Sequence, residues 1–302
     1  MGTPDFSLPA FLSLIDQVSI VAVVTQPDKK VGRKQEVTQS SVKKVALANK
    51  IEVFQPEKIK GNDEFIQQIK DLQPDLIIVV AYGFILPQEI LDIPKYGVIN
   101  IHASLLPKYR GASPIQAAIL NGDKETGVSI MLIDDKMDTG PILSEESIAI
   151  NNNDDFISMH DKLAQLGAEL LIDTLPRYIS GEIKPAAQNE AEATYCKILT
   201  KEDGKIDWIK SAEEIDRQIR AFTPWPGAWT IWNGKSLKVL MSKVLMSESR
   251  KVGEVYKSKD GLAVACGQDS LEILELQMEG KKPMNAKEFL NGYPGVVGAI
   301  LK

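Results

Sequence analysis

The chain has few of the side chains that hold metals or form cross-links. Its 302 residues include two cysteines, Cys196 and Cys266, and two histidines, His102 and His160. No Cys or His pair has the close spacing of a zinc or iron–sulfur site, so no metal is expected. Two isolated cysteines make no disulfide framework and read as reduced thiols in the cytoplasm. Long apolar runs are missing too. The longest candidates are strand-sized, such as Leu76 to Ala81, so no membrane partner is expected. The first residues lack the basic start and long apolar core of a secretory signal. No Ser or Cys sits in a nucleophile motif, which argues against a covalent enzyme intermediate.

What is present is ordinary in bulk and uneven in detail. Hydrophobic residues make up 44% of the chain and charged residues 25%, as in globular proteins. The length allows two domains. The net charge of −6 is unevenly spread, because residues 201–302 carry 16 basic and 14 acidic side chains while the rest is acidic. Two windows are basic: 29–44 has six Lys and Arg against one Glu, and 235–259 has seven against two. Such patches attract phosphate backbones unless they are simply solvated surface.

Along residues 1–150, short apolar runs alternate with helical patterns. Ser19–Thr25, Ile51–Phe54, Asp75–Ala81 and Gly97–His102 read as strands. Ser41–Lys50, with Ser40 as N-cap, Glu64–Leu72 and Pro114–Leu120 read as helices. Strands that are apolar on both faces and separated by helices predict a parallel sheet covered on both sides. Val128–Asp134 and Ile142–Ile150 read as a closing pair of strands. A long amphipathic helix over Phe156–Thr174 is expected to end at Pro176, with His160 on it as a packing or surface residue. The stretch 180–200 shows little periodicity and reads as a linker. Beyond it, a helix over Ser211–Arg220 precedes about five short strands with Gly turns, which predicts a small OB-like β-barrel. Trp225 and Trp229, after that helix, are expected to pack in a core rather than stack on bases.

The chemistry concentrates in "INIHASLLPKYRGASP", residues 99–114. Side chains at i and i+2 of a strand share a face, so Asn100 and His102 project together. They fall at the carboxyl end of a strand, where open parallel sheets bind ligands. Asp138 follows in "DDKMDTGPIL". An amide donor, an imidazole and a carboxylate suit acyl or formyl transfer. Attack on a carbonyl creates an oxyanion, which Asn and protonated His stabilise by hydrogen bonds. A carboxylate orients the imidazole and helps remove a proton from the attacking amine. The bland alternative is that Asn100 and His102 only cap neighbouring backbone.

The combination of "NIHASLLPKYRGASPIQAAI" and "TGVSIMLIDDKMDTGPIL" resembles the methionyl-tRNA formyltransferase family. "GTPDF", "TQPDKKVGR", "VVAYGFILP" and "AFTPWPGAW" match it as well, and the resemblance covers essentially the whole chain. It implies a Rossmann-like formyltransferase domain over 1–179, the linker 180–200, and an OB-like tRNA-binding domain over 201–302. It also implies 10-formyltetrahydrofolate as donor and initiator methionyl-tRNA as acceptor. Asn100 and His102 correspond to the residues that polarise the formyl carbonyl, and Asp138 to the one that orients His102 and assists proton transfer. Tyr82, Gly83, Ser104, Leu105, Leu106, Pro107 and Asp134 correspond to folate contacts. Lys29, Lys30, Arg33 and Lys34 correspond to a loop that meets the tRNA acceptor stem. A monomer is expected. In that family "GTPDF" follows an apolar strand, whereas Met1 here stands where the strand's last residue belongs. The first strand is therefore expected to be missing through a late-assigned start, and restoring it is expected to raise the melting temperature. Three competing readings remain: a 10-formyltetrahydrofolate hydrolase, a formyltransferase for a small amine, and an RNA-binding module without activity.

Overall fold

The computed structural model describes residues 1–31, 36–246, 250–259 and 261–302, with Lys30 and Val31 by backbone only. The chain divides into two units that interleave in sequence. The first comprises Met1–Gly111, Glu125–Ala149 and His160–Cys196; the second comprises Ala112–Lys124, Ile150–Met159 and Lys197–Lys302.

Among its described residues the first unit holds ten strands: β1 (Val23–Val24), β2 (Lys29–Val31), β3 (Glu36–Thr38), β4 (Val53–Phe54), β5 (Ile77–Val79), β6 (Val98–His102), β7 (Arg110–Gly111), β8 (Glu125–Leu132), β9 (Ile142–Ala149) and β10 (Tyr195–Cys196). The expected single parallel sheet is replaced by several smaller ladders. β1 pairs β4 in parallel and β7 pairs β10 in parallel, while β2 and β3 form an antiparallel hairpin. The central sheet runs β5-β6-β8-β9. Only β5 and β6 are parallel in it; β8 and β9 run antiparallel to their neighbours. The loop 133–141 is too short for the crossover that a parallel β8–β9 pair requires.

The strand cores are apolar because both faces are covered. Ile77, Val79 and Val98 pack with Phe65, Ile66 and Ile69 of the helix Asp63–Leu72. Each fully buried side chain of this size contributes about 1.5–3 kcal/mol. Two helix starts are capped as their sequences require: Ser40 Oγ accepts from Lys43 N–H at 3.1 Å, and Asn62 Oδ1 from Phe65 N–H at 3.1 Å. At the other side of β5, Gly2 bridges Val80 in parallel and donates its N–H to Val24 O at 3.0 Å. An apolar cleft of about 180 Å³ beside it is lined by residues including Val21, Val23, Leu76 and Ile78.

One helix outruns its predicted end. It spans Phe156–Ile179 with Pro176 inside. A proline removes one hydrogen bond, and in the last turn other contacts compensate. Arg177 pairs with Asp173 and Glu182, and Tyr178 Oη donates to Tyr96 O. The segment expected as a linker is hydrogen-bonded into this unit as far as Cys196. Ala186 bridges Ile142, Glu190–Glu192 forms a 3₁₀ turn, and Tyr195–Cys196 is β10.

The second unit is an antiparallel sheet in the order β11 (Ala228–Trp232), β12 (Lys235–Leu245), β15 (Ser270–Met278), β14 (Leu262–Ala265), β13 (Val255–Lys257), with β16 (Met284–Asn285) also on β15. The β12–β15 register shifts between Val239 and Ser242, and such irregularities bend a sheet. No ladder among the described residues joins β11 to β13. The helix Ala212–Phe222 starts with a capping box from Ser211 and Glu214. Its Ile215 and Ile219 pack with Trp208, Trp232 and Phe289. Trp229 is half-buried, its indole N–H donating to Lys201 O. Trp225 departs from the expected packing: it is 55% exposed. No helix among the described residues is long and apolar enough to cross a membrane.

Candidate active site

β6 carries the first two side chains. Asn100 lies opposite Met131 of β8 and Val79 of β5, and His102 lies opposite Ser129. The strand period puts both on one face. Asn100 is half-buried, and its carboxamide has no hydrogen-bond partner among the described residues. His102 is buried, with Nε2 3.0 Å from Tyr109 O. A carbonyl oxygen only accepts, so Nε2 carries hydrogen and Nδ1 is the nitrogen free to gain or lose a proton.

Nδ1 faces Asp138, whose Oδ2 is 3.7 Å away. The same oxygen accepts from Gly111 N–H at 2.8 Å. The residues 109–111 therefore hold both partners: Tyr109 O fixes one edge of the imidazole and Gly111 N–H fixes the carboxylate. Two glycines make this possible. Gly111 has φ +117°, and a Cβ there would lie 2.2 Å from Cys196 O. A Cβ on Gly140 would lie 1.9 Å from Leu132 O. Any larger residue at either position would push the Asp138 turn or β7 out of place.

Below these side chains the loop after β6 is pinned from inside. Ser129 Oγ accepts from Leu106 N–H at 2.9 Å and sits 2.7 Å from Ser104 O. Ser104 is fully buried, its hydroxyl donating to Lys108 O at 2.6 Å. Leu106 is also buried, while Leu105 and Pro107 are half-buried. Of the other expected folate contacts, Tyr82 has its ring in the apolar core, edge-on to Phe84, and only Gly83 is exposed. Burial drives the Tyr82 hydroxyl well above its ordinary range. Asp134 is turned inward on its own loop, accepting from Thr139 Oγ1 and Lys136 N–H. Lys29 is exposed on the hairpin strand β2 and donates to Gln26 Oε1 at 2.6 Å. Arg33 and Lys34 lie outside the described residues, as does the side chain of Lys30. His160 is half-buried, with its ring edge-on to Phe6 and Nδ1 2.9 Å from Asp161.

The sequence reading missed a second polar cluster beside Asp138. Arg110 is completely buried. It donates to both oxygens of Glu190 at 2.7 and 2.9 Å, to Gln188 Oε1 twice, and to Tyr195 Oη. The hydrogen bonds with Glu190 raise the guanidinium above its ordinary value and hold the Glu190 carboxyl below its own. Arg110 falls inside the motif stretch 99–114, but Gln188, Glu190 and Tyr195 lie in a stretch with no periodicity and no motif. Their only signal was being near one another in sequence.

The arrangement offers a free amide N–H from Asn100 and, when His102 is protonated, an Nδ1–H. Both suit a carbonyl oxygen that gains negative charge. The carboxylate beside them can take a proton. No group of His, Cys, Asp and Glu among the described residues is arranged to hold a metal ion.

The pattern of the formyl transferase family matches residues 12–175, and that of the formyl transferase C-terminal domain matches 198–294. The chain is 50% identical over its full length to the methionyl-tRNA formyltransferase of Caldanaerobacter subterraneus subsp. tengcongensis, covering 98% of that protein. It is 48% identical over its full length to the one from Citrifermentans bemidjiense, covering 95% of that protein. Among solved structures, an N-formyltransferase from Helicobacter canadensis in complex with folinic acid and dTDP-3-aminofucose superimposes with a TM-score of 0.69 at 20% identity. That match spans 90% of this chain and 97% of that one.

Proposed function

We infer the reaction from one premise: this chain belongs to the formyl transferase family, through both its N-terminal and its C-terminal modules. It transfers the formyl group of 10-formyltetrahydrofolate to the α-amine of methionine on initiator tRNA. The observation that carries this is the near-half identity to methionyl-tRNA formyltransferases over the whole chain. The residues fit such a donor: Asn100 has an unpartnered carboxamide, and Gly83, Ile85 and Met137 are exposed on the flanking loops.

In this reading Asn100 and protonated His102 donate hydrogen bonds to the formyl oxygen as the amine nitrogen bonds to the formyl carbon. The carbonyl π-pair moves onto that oxygen. Asp138 accepts the proton that the amine loses. When the oxygen pair returns, the bond from carbon to the folate nitrogen breaks, and a proton delivered from the His102–Asp138 pair neutralises the leaving nitrogen. Formyl-methionyl-tRNA and tetrahydrofolate are the products. No protein atom is acylated at any stage.

The finer assignments support this scheme as part of the same proposal. Residues 1–179 form the Rossmann-like catalytic domain, 180–200 a connecting segment packed onto it as far as Cys196, and 201–302 an OB-like domain that lies along the tRNA. Lys29, with Lys30, Arg33 and Lys34, meets the acceptor stem, and the loops holding Gly83, Ser104–Pro107 and Asp134 frame the folate. The protein acts as a monomer in the cytoplasm.

The test is formyl transfer to methionyl initiator tRNA beside a His102→Ala control and a tRNA-free reaction. Formyl-methionyl-tRNA that disappears in the variant supports the assignment. Folate release without tRNA would mark a hydrolase, and formylation of a small amine alone would mark a different acceptor.

A further inference from the structure

We propose that Gln188 is the positioning residue of this site: backed by Arg110, it sets the turn that presents Asp138 to His102. The proposal rests on Asp138 being the proton acceptor of the reaction above. Gln188 Nε2 donates to Asp138 O at 2.9 Å and to Gly140 O at 2.7 Å. Its Oε1 accepts from Arg110 Nε at 3.0 Å and from Nη2 at 2.8 Å. A carboxamide has two donor hydrogens and two acceptor lone pairs, and here all four are used. The amide cannot be reversed, because its NH₂ would then face the guanidinium donors.

Arg110 is saturated in the same way. Its five N–H groups make the five contacts with Gln188, Glu190 and Tyr195. A buried cation with every donor engaged holds its neighbours and has nothing left for a ligand. The network also closes on itself. Arg110 orients Gln188, Gln188 holds the backbone of residues 138–140, and the Asp138 carboxylate returns to Gly111 N–H, the residue after Arg110. The clamp also holds Asp138 at a φ of +55°, in the left-handed region that aspartate adopts more readily than most side-chain-bearing residues but still uncommonly. Gln188 touches no reacting atom in this geometry, so it acts through Asp138.

The discriminating variant is Gln188→Glu. It keeps shape and both acceptors for Arg110, but turns a carboxylate against the carbonyls of Asp138 and Gly140. With glycine labelled by ¹⁵N, the Gly111 amide reports its bond to the Asp138 carboxylate directly. The expected result is an upfield move of the Gly111 proton, with a melting temperature close to that of the parent. Formyl transfer is expected to fall about 100-fold in kcat with KM little changed, as misplacement of a reacting group does. Added to Asp138→Asn, Gln188→Glu should cost nothing further, since one acts through the other. An unmoved Gly111 resonance, or losses that multiply in the double variant, would overturn the proposal. Gln188→Met, which removes the donors without adding charge, repeats the measurement if the glutamate variant does not fold. The NMR readout needs no substrate, so absence of transfer in the parent chain would count against the assigned reaction and leave this geometry testable.

Discussion

Two pairs of ionisable side chains in the first unit, close to one another, are built in opposite ways. Arg110 and Glu190 meet at 2.7 Å, and every guanidinium hydrogen is taken. His102 and Asp138 stand 3.7 Å apart, with one nitrogen and one oxygen free of other partners among the described residues. The saturated pair cannot exchange protons or partners without a large loss, so it serves as a frame. The loose pair keeps capacity to bond a ligand or water at the half-buried Asp138 carboxylate. Under the proposed reaction, the difference separates the pair that would react from the pair that holds.

Substitutions at the two pairs should therefore fail differently. The largest effect is expected at the loose pair. Asp138→Asn should lower kcat by about 10²–10⁴-fold, the usual worth of a general acid–base group, with a melting curve near that of the parent. A comparable loss of stability would erase the contrast. Next comes Arg110→Met, which strands Gln188 and Glu190. Removing one partner of a buried pair costs about 3–5 kcal/mol, and the exposed Glu190 should keep the loss near the lower end in denaturant titration. Arg110→Lys should recover only part, because a lysine cannot present the five-donor fork. The smallest effect is expected from Glu190→Gln, and its size depends on pH. Arg110 holds the Glu190 carboxyl below its ordinary value, so the stabilisation is present above that value and is lost as pH falls through the lowered one. The gap in melting temperature between parent and variant should be full at neutral pH and close below about pH 4. A gap that stayed constant would mean that the charge on Glu190 contributes nothing.

The loose pair was half legible beforehand. Asn100 and His102 share a face because strand periodicity acts over two residues, and the helix start at Ser40 follows from a cap three residues long. Asp138 was legible through its Asp-Thr-Gly turn, although its distance from His102 was not. The saturated pair was hidden. Residues 188–195 have neither alternation nor helical spacing, and the stretch read as a linker. Pro176 misled for a related reason: a local rule ended the helix, while tertiary contacts of Arg177 and Tyr178 carried it on to Ile179. Tyr82 shows the same limit: a motif says which residue is present and not which way its ring turns, and this ring is buried.

By itself the sequence determined the apolar segments, the helix caps, the paired donors on β6 and the kinship with formyl transferases, since each depends on residues near one another or on a pattern spread along the chain. The tertiary structure alone decided that β6 lies between a parallel β5 and an antiparallel β8. It also decided that Tyr109 and Gly111 grip His102 and Asp138, and that a glutamine fifty residues beyond the aspartate completes the turn. Such contacts form only after distant segments have packed. Their geometry is set by the backbone groups that burial leaves unpaired, and no short stretch of sequence encodes which those will be.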